Sequence, residues 1–204
     1  MKYFDCLVGN KLIEINKLYE SLEDDERIIL YSIGALNNTP LTGKTKLQKL
    51  LFMVSEVFVN LKDLLDFDDY LLGPYSEKID AILENLIKLD LVTNENSKYY
   101  LSSIGLEIFK RIKPKKNLSS VIEDFKELLH DVTEDYLLIF IYVTYPEFKF
   151  ESFKWEELQS KRLDAAIYLL KNDKVSFSKA NEISGLSLDQ FIDELKKRKI
   201  RWRK

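Results

Sequence analysis

The side chains best suited to chemistry in this chain are cations, and they gather in two places. Lys44, Lys46 and Lys49 crowd the first turns of a stretch whose apolar residues, Leu47, Leu50, Leu51, Val54 and Phe58, recur at helical spacing. The helix dipole disfavours a cation there by roughly 0.3 kcal/mol or more. Such a conflict fits contact with an anion such as a phosphate backbone, and a solvated lysine face at modest cost fits it as well. The second gathering closes the chain: Lys196, Lys197, Arg198, Lys199, Arg201, Trp202, Arg203 and Lys204. Cations around an aromatic ring suit phosphate contact with base stacking, while a frayed, solvated terminus is the bland alternative.

Other chemistry is sparse. Gly43-Lys44-Thr45 matches the end of a phosphate-cradling loop, but Asn38 stands where that loop needs its first glycine. A helix precedes it where the motif needs a strand, so it reads as a helix start. His130 is the only histidine, beside Leu129 and Asp131, and the single cysteine, Cys6, is distant. Neither a Cys–His nor a Ser–His–Asp arrangement is signalled. Asp66, Asp68 and Asp69 lack the glycine and terminal glutamate of a calcium loop and read as a solvated turn. No catalytic residue, metal or cofactor is expected, and an enzyme is the least favoured class.

The elements that must position the cations follow from composition and pattern. The chain has 204 residues, 46% hydrophobic and 12% aromatic, enough for a packed core in one or two domains. One cysteine leaves no internal disulfide and no multi-cysteine zinc site. The longest apolar run, Tyr136 to Val143, is too short to span a bilayer, and the first residues lack a signal-peptide pattern, so a cytoplasmic location and no membrane partner are expected. Charge is uneven. Residues 161–204 hold 12 Lys/Arg against 6 Asp/Glu, and residues 1–160 hold 19 against 28. An acidic body carries a basic tail.

In order, residues 10–22 read as an amphipathic helix through Leu12, Ile15, Leu18 and Tyr19. Glu23 to Glu26 suit the start of a second, carrying Ile29, Ile33 and Leu36 and stopped by Asn37-Asn38-Thr39-Pro40. The Lys44 helix comes next. Tyr70 to Leu72 is halted by Gly73-Pro74, and Ser76 caps a helix that buries Ile79, Ile82, Leu83 and Leu86. Leu91-Val92 and Tyr99 to Leu101 bracket a polar tip, as in a β-hairpin. Two helices followed by a two-stranded wing describe a winged helix-turn-helix.

At these residues the sequence resembles the YwgA-like winged-helix proteins, relatives of the Panacea-type antitoxins. Leu47-Gln48-Lys49-Leu50, Gly73-Pro74-Tyr75-Ser76, Leu91-Val92, Leu101 and Gly105 carry the resemblance. It covers roughly half the chain and implies a regulator or antitoxin-like role. Were the helix after Ser76 a recognition helix, its exposed residues would be Glu77, Lys78, Asp80, Glu84, Asn85 and Lys88, a net acidic face. The wing tip offers Glu95 and Lys98. Acidic side chains repel phosphate, so a protein-contacting use of the same elements stands beside DNA reading.

Ser102 caps a helix through Ile104, Ile108, Phe109 and Ile112, broken by Lys113-Pro114. Ser120 with Glu123 reads as a capping box for a helix carrying Val121, Phe125, Leu128, Leu129 and Val132. Thr133 starts the next. Its middle, Leu137 to Val143, is apolar all round, which predicts cover from more than one side and points to a homodimer. Residues 147–154 alternate as a strand or an extended connector, and Trp155 begins a helix reaching about Asn172. Ala180 and Ile183 then precede Gly185, with Leu188, Phe191, Ile192 and Leu195 after it, a helix-turn-helix pattern. This segment resembles small antitoxin-like helix-turn-helix proteins with a Lys-Ala-Ala-Glu-Leu-Ala-Gly core; here Asn181 replaces the second alanine.

The expected architecture is mainly α. A winged helix-turn-helix with a small hairpin wing occupies residues 1–116, a helical connector and dimer interface 117–160, and a C-terminal helix-turn-helix with its basic tail 161–204. The expected function is a DNA-binding transcriptional regulator, antitoxin-like in its finer reading. Its DNA contacts would be Lys44, Lys46, Lys49, Lys78, Lys98, Lys179, Lys197, Lys199, Arg201 and Arg203. The alternative is an adaptor or antitoxin whose acidic body binds a basic protein partner, such as a toxin, without reading DNA.

Overall fold

The computed structural model describes residues 13–68, 70–150 and 152–202. Cys6, Leu12, Asp69, Arg203 and Lys204 lie outside them. The chain divides into two compact units. One comprises the residues up to Phe67 with Ser76–Glu127, the other Asp68–Tyr75 with the chain from Leu128 onward.

The first unit runs helix α1 (residues 13–21), α2 (Asp24–Asn38), strand β1 (Leu41–Thr42), α3 (Lys44–Val57) and α4 (Asn60–Leu65). It continues with α5 (Glu77–Lys88), β2 (Val92–Glu95), β3 (Lys98–Leu101), α6 (Ser103–Phe109) and most of α7 (Lys116–Leu129). The strands form an antiparallel sheet in the order β1-β3-β2. Leu41 faces Tyr99 and Val92 faces Leu101, so β3 is central. The turn Asn96-Ser97 has φ of +52° and +61°, matching the twist of a tight hairpin. The hairpin was legible in its sequence; β1 was not, being two residues long beyond Pro40.

α2 packs on β3, α3, α5 and α6. Gly34 permits that approach, since a Cβ there would lie 2.4 Å from Leu101 Cδ1 and 2.6 Å from Phe109 Cδ2. Beyond it the helix ends abruptly. Leu36, Asn37 and Asn38 all take left-handed φ, of +52°, +53° and +61°. For a leucine this costs about 1 kcal/mol or more. The turn is held from both sides. The Asn38 side-chain amide donates to Leu101 O at 3.0 Å, and its oxygen accepts from Leu101 N at 2.8 Å. On the other side Lys126 Nζ donates to Ile33 O at 2.5 Å and Ala35 O at 2.8 Å, satisfying carbonyls that the helix end leaves open. Lys126 is 1% exposed, and burial pulls its pKa down to about 7.

α3 and α5 are joined by Gln48, which is 2% exposed. Its amide donates to Ser76 O at 2.9 Å while its oxygen accepts from Ser76 N at 3.0 Å, pairing with that backbone as a strand would. Ser76 Oγ donates to Leu65 O at 2.5 Å and accepts from Ile79 N at 3.2 Å, capping α5. This explains why Leu-Gln-Lys-Leu and Gly-Pro-Tyr-Ser occur together: the glutamine of one clamps the serine of the other.

In the second unit Asp68–Tyr75 closes as a loop. Asp68 and Tyr75 exchange backbone hydrogen bonds of 2.9 and 3.0 Å, and Tyr70 stacks on Tyr75 at 4.9 Å. From Leu128 the unit takes in the end of α7, then α8 (Glu134–Thr144), a 3-10 turn (Pro146–Lys149) and α9 (Trp155–Gln159). α10 (Arg162–Lys171), α11 (Phe177–Ser184) and α12 (Leu188–Lys197) complete it. Three expectations change. Ser120 lies inside α7, which begins at Lys116 just past Pro114, so it caps nothing. Residues 146–149 form the 3-10 turn, not a strand. The Trp155 helix breaks at Ser160-Lys161, where Ser160 Oγ donates to Glu157 O at 2.9 Å and ends the first piece.

α8 bears on the dimer expectation. Leu137, Leu138, Ile139, Ile141, Tyr142 and Val143 are all buried within the chain's own fold, with α9, α10, α11 and the 3-10 turn packed on the helix. The ground for expecting a second subunit to cover it is therefore gone. Among the described residues no helix is long and apolar enough to cross a membrane.

Two outcomes test this packing. Gln48→Leu leaves the buried Ser76 N unpaired and Ser76 O with only the long bond from Asp80 N, and should destabilise the first unit by about 1–3 kcal/mol in urea unfolding, more than a surface Gln→Leu. Lys126 has a folded pKa of about 7 against an ordinary value of 10.5, so the unfolded chain holds its proton more tightly across that window. Folding there releases a proton, and stability should rise by about 2 kcal/mol from pH 7 to pH 9 through this group. Lys126→Met should flatten that rise.

Candidate nucleic-acid interface

Of the expected DNA contacts, Lys44, Lys46, Lys49, Lys78 and Lys98 fall in the first unit, and Lys179, Lys197, Lys199 and Arg201 in the second. Arg203 lies outside the described residues. The two sets form no single patch within either unit.

In the first unit Lys44 and Lys78 are engaged by acids and Lys49 is buried. Lys44 Nζ lies 3.1 Å from Asp80 Oδ2 and 3.6 Å from Glu84 Oε1, both on α5. Burial works against its charge, but the Asp80 hydrogen bond, with the charges of Asp80, Glu84 and Tyr99, outweighs this and raises its pKa. Lys49 is 2% exposed, a core residue and not part of a solvated face, so it cannot touch a phosphate. Lys78 pairs with Asp25 at 2.7 Å and donates to Leu64 O at 2.8 Å. Lys46 is half-buried at the same helix start. Lys98 is exposed at the root of β3, opposite Glu95 in register. The conflict at this helix start has an internal answer for Lys44, whose anions come from α5, and for Lys49, which turns into the core.

In the second unit the helix-turn-helix is built as its pattern implied. Ser176 caps α11 by accepting from Lys179 N at 3.2 Å, and Gly185 ends it at φ +72°. Ser187 and Gln190 form a capping box at the start of α12. Ala180, Ile183, Phe191 and Leu195 are buried, while Leu188 is 52% exposed. The turn is fastened by a residue outside it. Arg162 on α10 donates from Nε to Ile183 O at 2.8 Å and from one terminal nitrogen to Glu182 O at 2.9 Å. Its guanidinium also lies 5.6 Å from the Trp155 ring centroid.

The basic tail is a folded structure as far as Trp202. Lys199 takes φ +55°, and Ile200 N donates back to Leu195 O at 2.9 Å, ending α12 in a left-handed turn. Trp202 stacks on Phe177 at 5.7 Å, and Phe177 meets Phe191 at 5.7 Å. Several cations are spoken for. Lys179 pairs with Glu182 at 3.0 Å, Lys197 with Glu194 at 2.7 Å, and Arg198 with Asp164 at 2.6 Å. The Glu194 hydrogen bond and charge raise the Lys197 pKa. Lys199 and Arg201 are exposed, with no ion pair among the described residues.

Comparison with known proteins singles out this same end of the chain. Residues 141–204 match an uncharacterised protein family, UPF0175. The UPF0175 match begins inside α8 and takes in α9 to α12, under one third of the chain. No curated protein and no solved structure matches the chain.

Arg162, Gln48 and Lys126 escaped the reading of the sequence because long polar side chains carry no period when they turn inward. A lone arginine opening α10 gives no hint that it faces a turn twenty residues ahead. Gly185 carried a clearer signal, and its replacement tests the turn. A Cβ there would sit 2.7 Å from the Arg162 guanidinium carbon, at a φ that L-residues rarely adopt. Gly185→Ala should destabilise the second unit by more than about 1 kcal/mol in thermal or urea unfolding. Arg162→Ala should relieve that clash, so the double variant should fall short of the sum of the two single costs.

Proposed function

We propose that this protein is a DNA-binding transcriptional regulator, antitoxin-like in its finer reading, that engages duplex DNA through the helix-turn-helix of residues 177–197 and the cations just beyond it. The observation that carries this reading is the pair Lys199 and Arg201, exposed and without ion pairs among the described residues, directly after two helices joined by a left-handed glycine. Phosphate contact needs free cations, and an acidic protein must supply them locally, within a Debye length of about 10 Å.

The first unit supports the reading through its topology. Its helices with a small antiparallel sheet in the order β1-β3-β2, ending in a hairpin, are compatible with a winged-helix plan. Lys44 and Lys78 are held by its own carboxylates and Lys49 is buried, so in this reading the unit serves as scaffold or protein-contacting surface.

A specific observation favours the second reading as well. α12, the helix that would enter a groove, exposes Asp189 and Asp193 with Glu194 half-buried, and α5 exposes Glu77 and Glu84. Such faces suit a basic protein partner, a toxin among them.

The discriminating measurement is the binding of a labelled mixed-sequence duplex between 50 and 300 mM salt. Wild type should lose affinity steeply. Lys199→Gln/Arg201→Gln should weaken binding about tenfold at moderate salt and flatten the log–log salt slope by about two. Equal binding by the double variant removes these two residues from the interface. No binding by wild type at low salt transfers the function to the adaptor reading.

A further inference from the structure

Beside the helix-turn-helix the second unit has a half-open groove of about 600 Å³, which shares Arg201 with the proposed duplex contact. Its lining includes Lys171 from the end of α10, Asp173, Ser176 and Phe177 from the start of α11, and Arg201 and Trp202 from the folded tail. We infer that this groove takes one nucleotide unit of a single-stranded nucleic acid, with the base against the Phe177–Trp202 aromatic wall and the phosphate at Lys171 and Arg201. The inference goes beyond duplex binding and does not rest on it.

Three features carry it. First, the wall is preformed: Trp202 and Phe177 are parallel within 24° at 5.7 Å, and Phe191 backs Phe177 from the core. An indole fixed this way offers a flat face without ordering a flexible side chain at binding, and any base can stack on it. Second, Lys171 and Arg201 have no ion pair among the described residues, whereas Lys161, Lys179, Lys197 and Arg198 in the same unit are all paired with carboxylates. Free cations beside an aromatic wall are the combination that tracks a sugar-phosphate chain. Third, the size is that of a small-ligand cleft. The groove is open along one side, as a passing strand requires, and the exposed Lys199 stands two residues before Arg201 in the chain.

Asp173 sets a limit on orientation. Its carboxylate would repel a phosphate, so the anion belongs on the side where Lys171 and Arg201 stand. Ser176 is already committed to capping α11, which leaves the groove poor in groups that read a base edge. Recognition is therefore by stacking and charge, with little sequence preference.

The test uses the full chain and labelled 12-nucleotide oligo-dT, followed by anisotropy at 50 mM salt. Wild type should bind it, and deoxythymidine monophosphate should bind at least tenfold more weakly. Lys171→Glu, an exposed change that leaves packing intact, and Trp202→Ala should each weaken oligo-dT binding at least fivefold, with the circular dichroism melt reporting the fold. In a Trp155→Phe background, where Trp202 is the only indole, oligo-dT should quench the emission. Absence of binding by wild type, or wild-type binding by Lys171→Glu, overturns the proposal. So does binding without quenching, which would make the contact electrostatic alone. Mononucleotide binding as tight as oligo-dT would replace the strand with a free nucleotide. The duplex experiment varies Lys199 and Arg201, so duplex binding that survives Lys171→Glu and Trp202→Ala keeps the two readings separable.

Discussion

A side-chain amide holds the first unit together. Gln48 is buried on α3 and binds both backbone polar groups of Ser76, the residue that caps α5. Through Asp80 the same amide reaches the Lys44 ion pair: Gln48 Nε2 donates to Asp80 Oδ1 at 3.0 Å, while Asp80 Oδ2 receives Lys44. One glutamine thus fixes the start of α5, the seating of α3 against it and the fate of the first lysine. A buried amide so fully engaged specifies one arrangement of the two helices, since any slip strands polar groups in a dry site. The hairpin follows α5 after a tight turn, with Leu91 N donating to Leu86 O at 2.9 Å, and so inherits its position.

The same economy of charge runs through the second unit, with a different result. Acids one turn away along a helix, or one helix away, hold Lys161, Lys179, Lys196, Lys197 and Arg198. Lys171, Lys199 and Arg201 are exposed with no ion pair among the described residues. The net charge of −3 hides this, because what matters for phosphate is which cations remain unengaged. Counting lysines along the chain misses that Lys44 and Lys78 are already paired with acids, and that Lys171, which stands in no basic run, has no ion pair among the described residues.

Helix starts were legible at Ser76, Ser102 and Thr133, where an apolar stripe met a capping residue; Ser176 and Ser187 also cap helices, but were not singled out in the sequence. The hairpin was legible from its polar tip, and the turn at Gly185 from helical patterns on either side. What could not be read was the inward use of polar side chains. Lys49 looks like its neighbours in sequence, yet it lies on the buried side with Leu50 and Met53. Ser120 with Glu123 satisfies the capping-box pattern, but Pro114 had already released the chain into a helix starting at Lys116. The Trp155 helix failed for a related reason, a serine whose hydroxyl competes for a helix carbonyl. In each case the local pattern was correct chemistry that a neighbouring residue had overtaken.

Arg162 has a consequence for modularity. The helix-turn-helix takes its most distinctive fastening from α10, upstream of both its helices, and α10's arginine is itself braced against Trp155 on α9. A piece cut at the start of α11 would keep its caps and its glycine and still lose the guanidinium that closes the α11 carbonyl end. A transplantable form of this motif must therefore reach back past Trp155, and through α8 as well, since α8 packs on α9, α10 and α11. Insertions that separate α10 from α11 would uncouple the fastening from the turn, so length variation should be better tolerated before Trp155 than between Lys171 and Ser176.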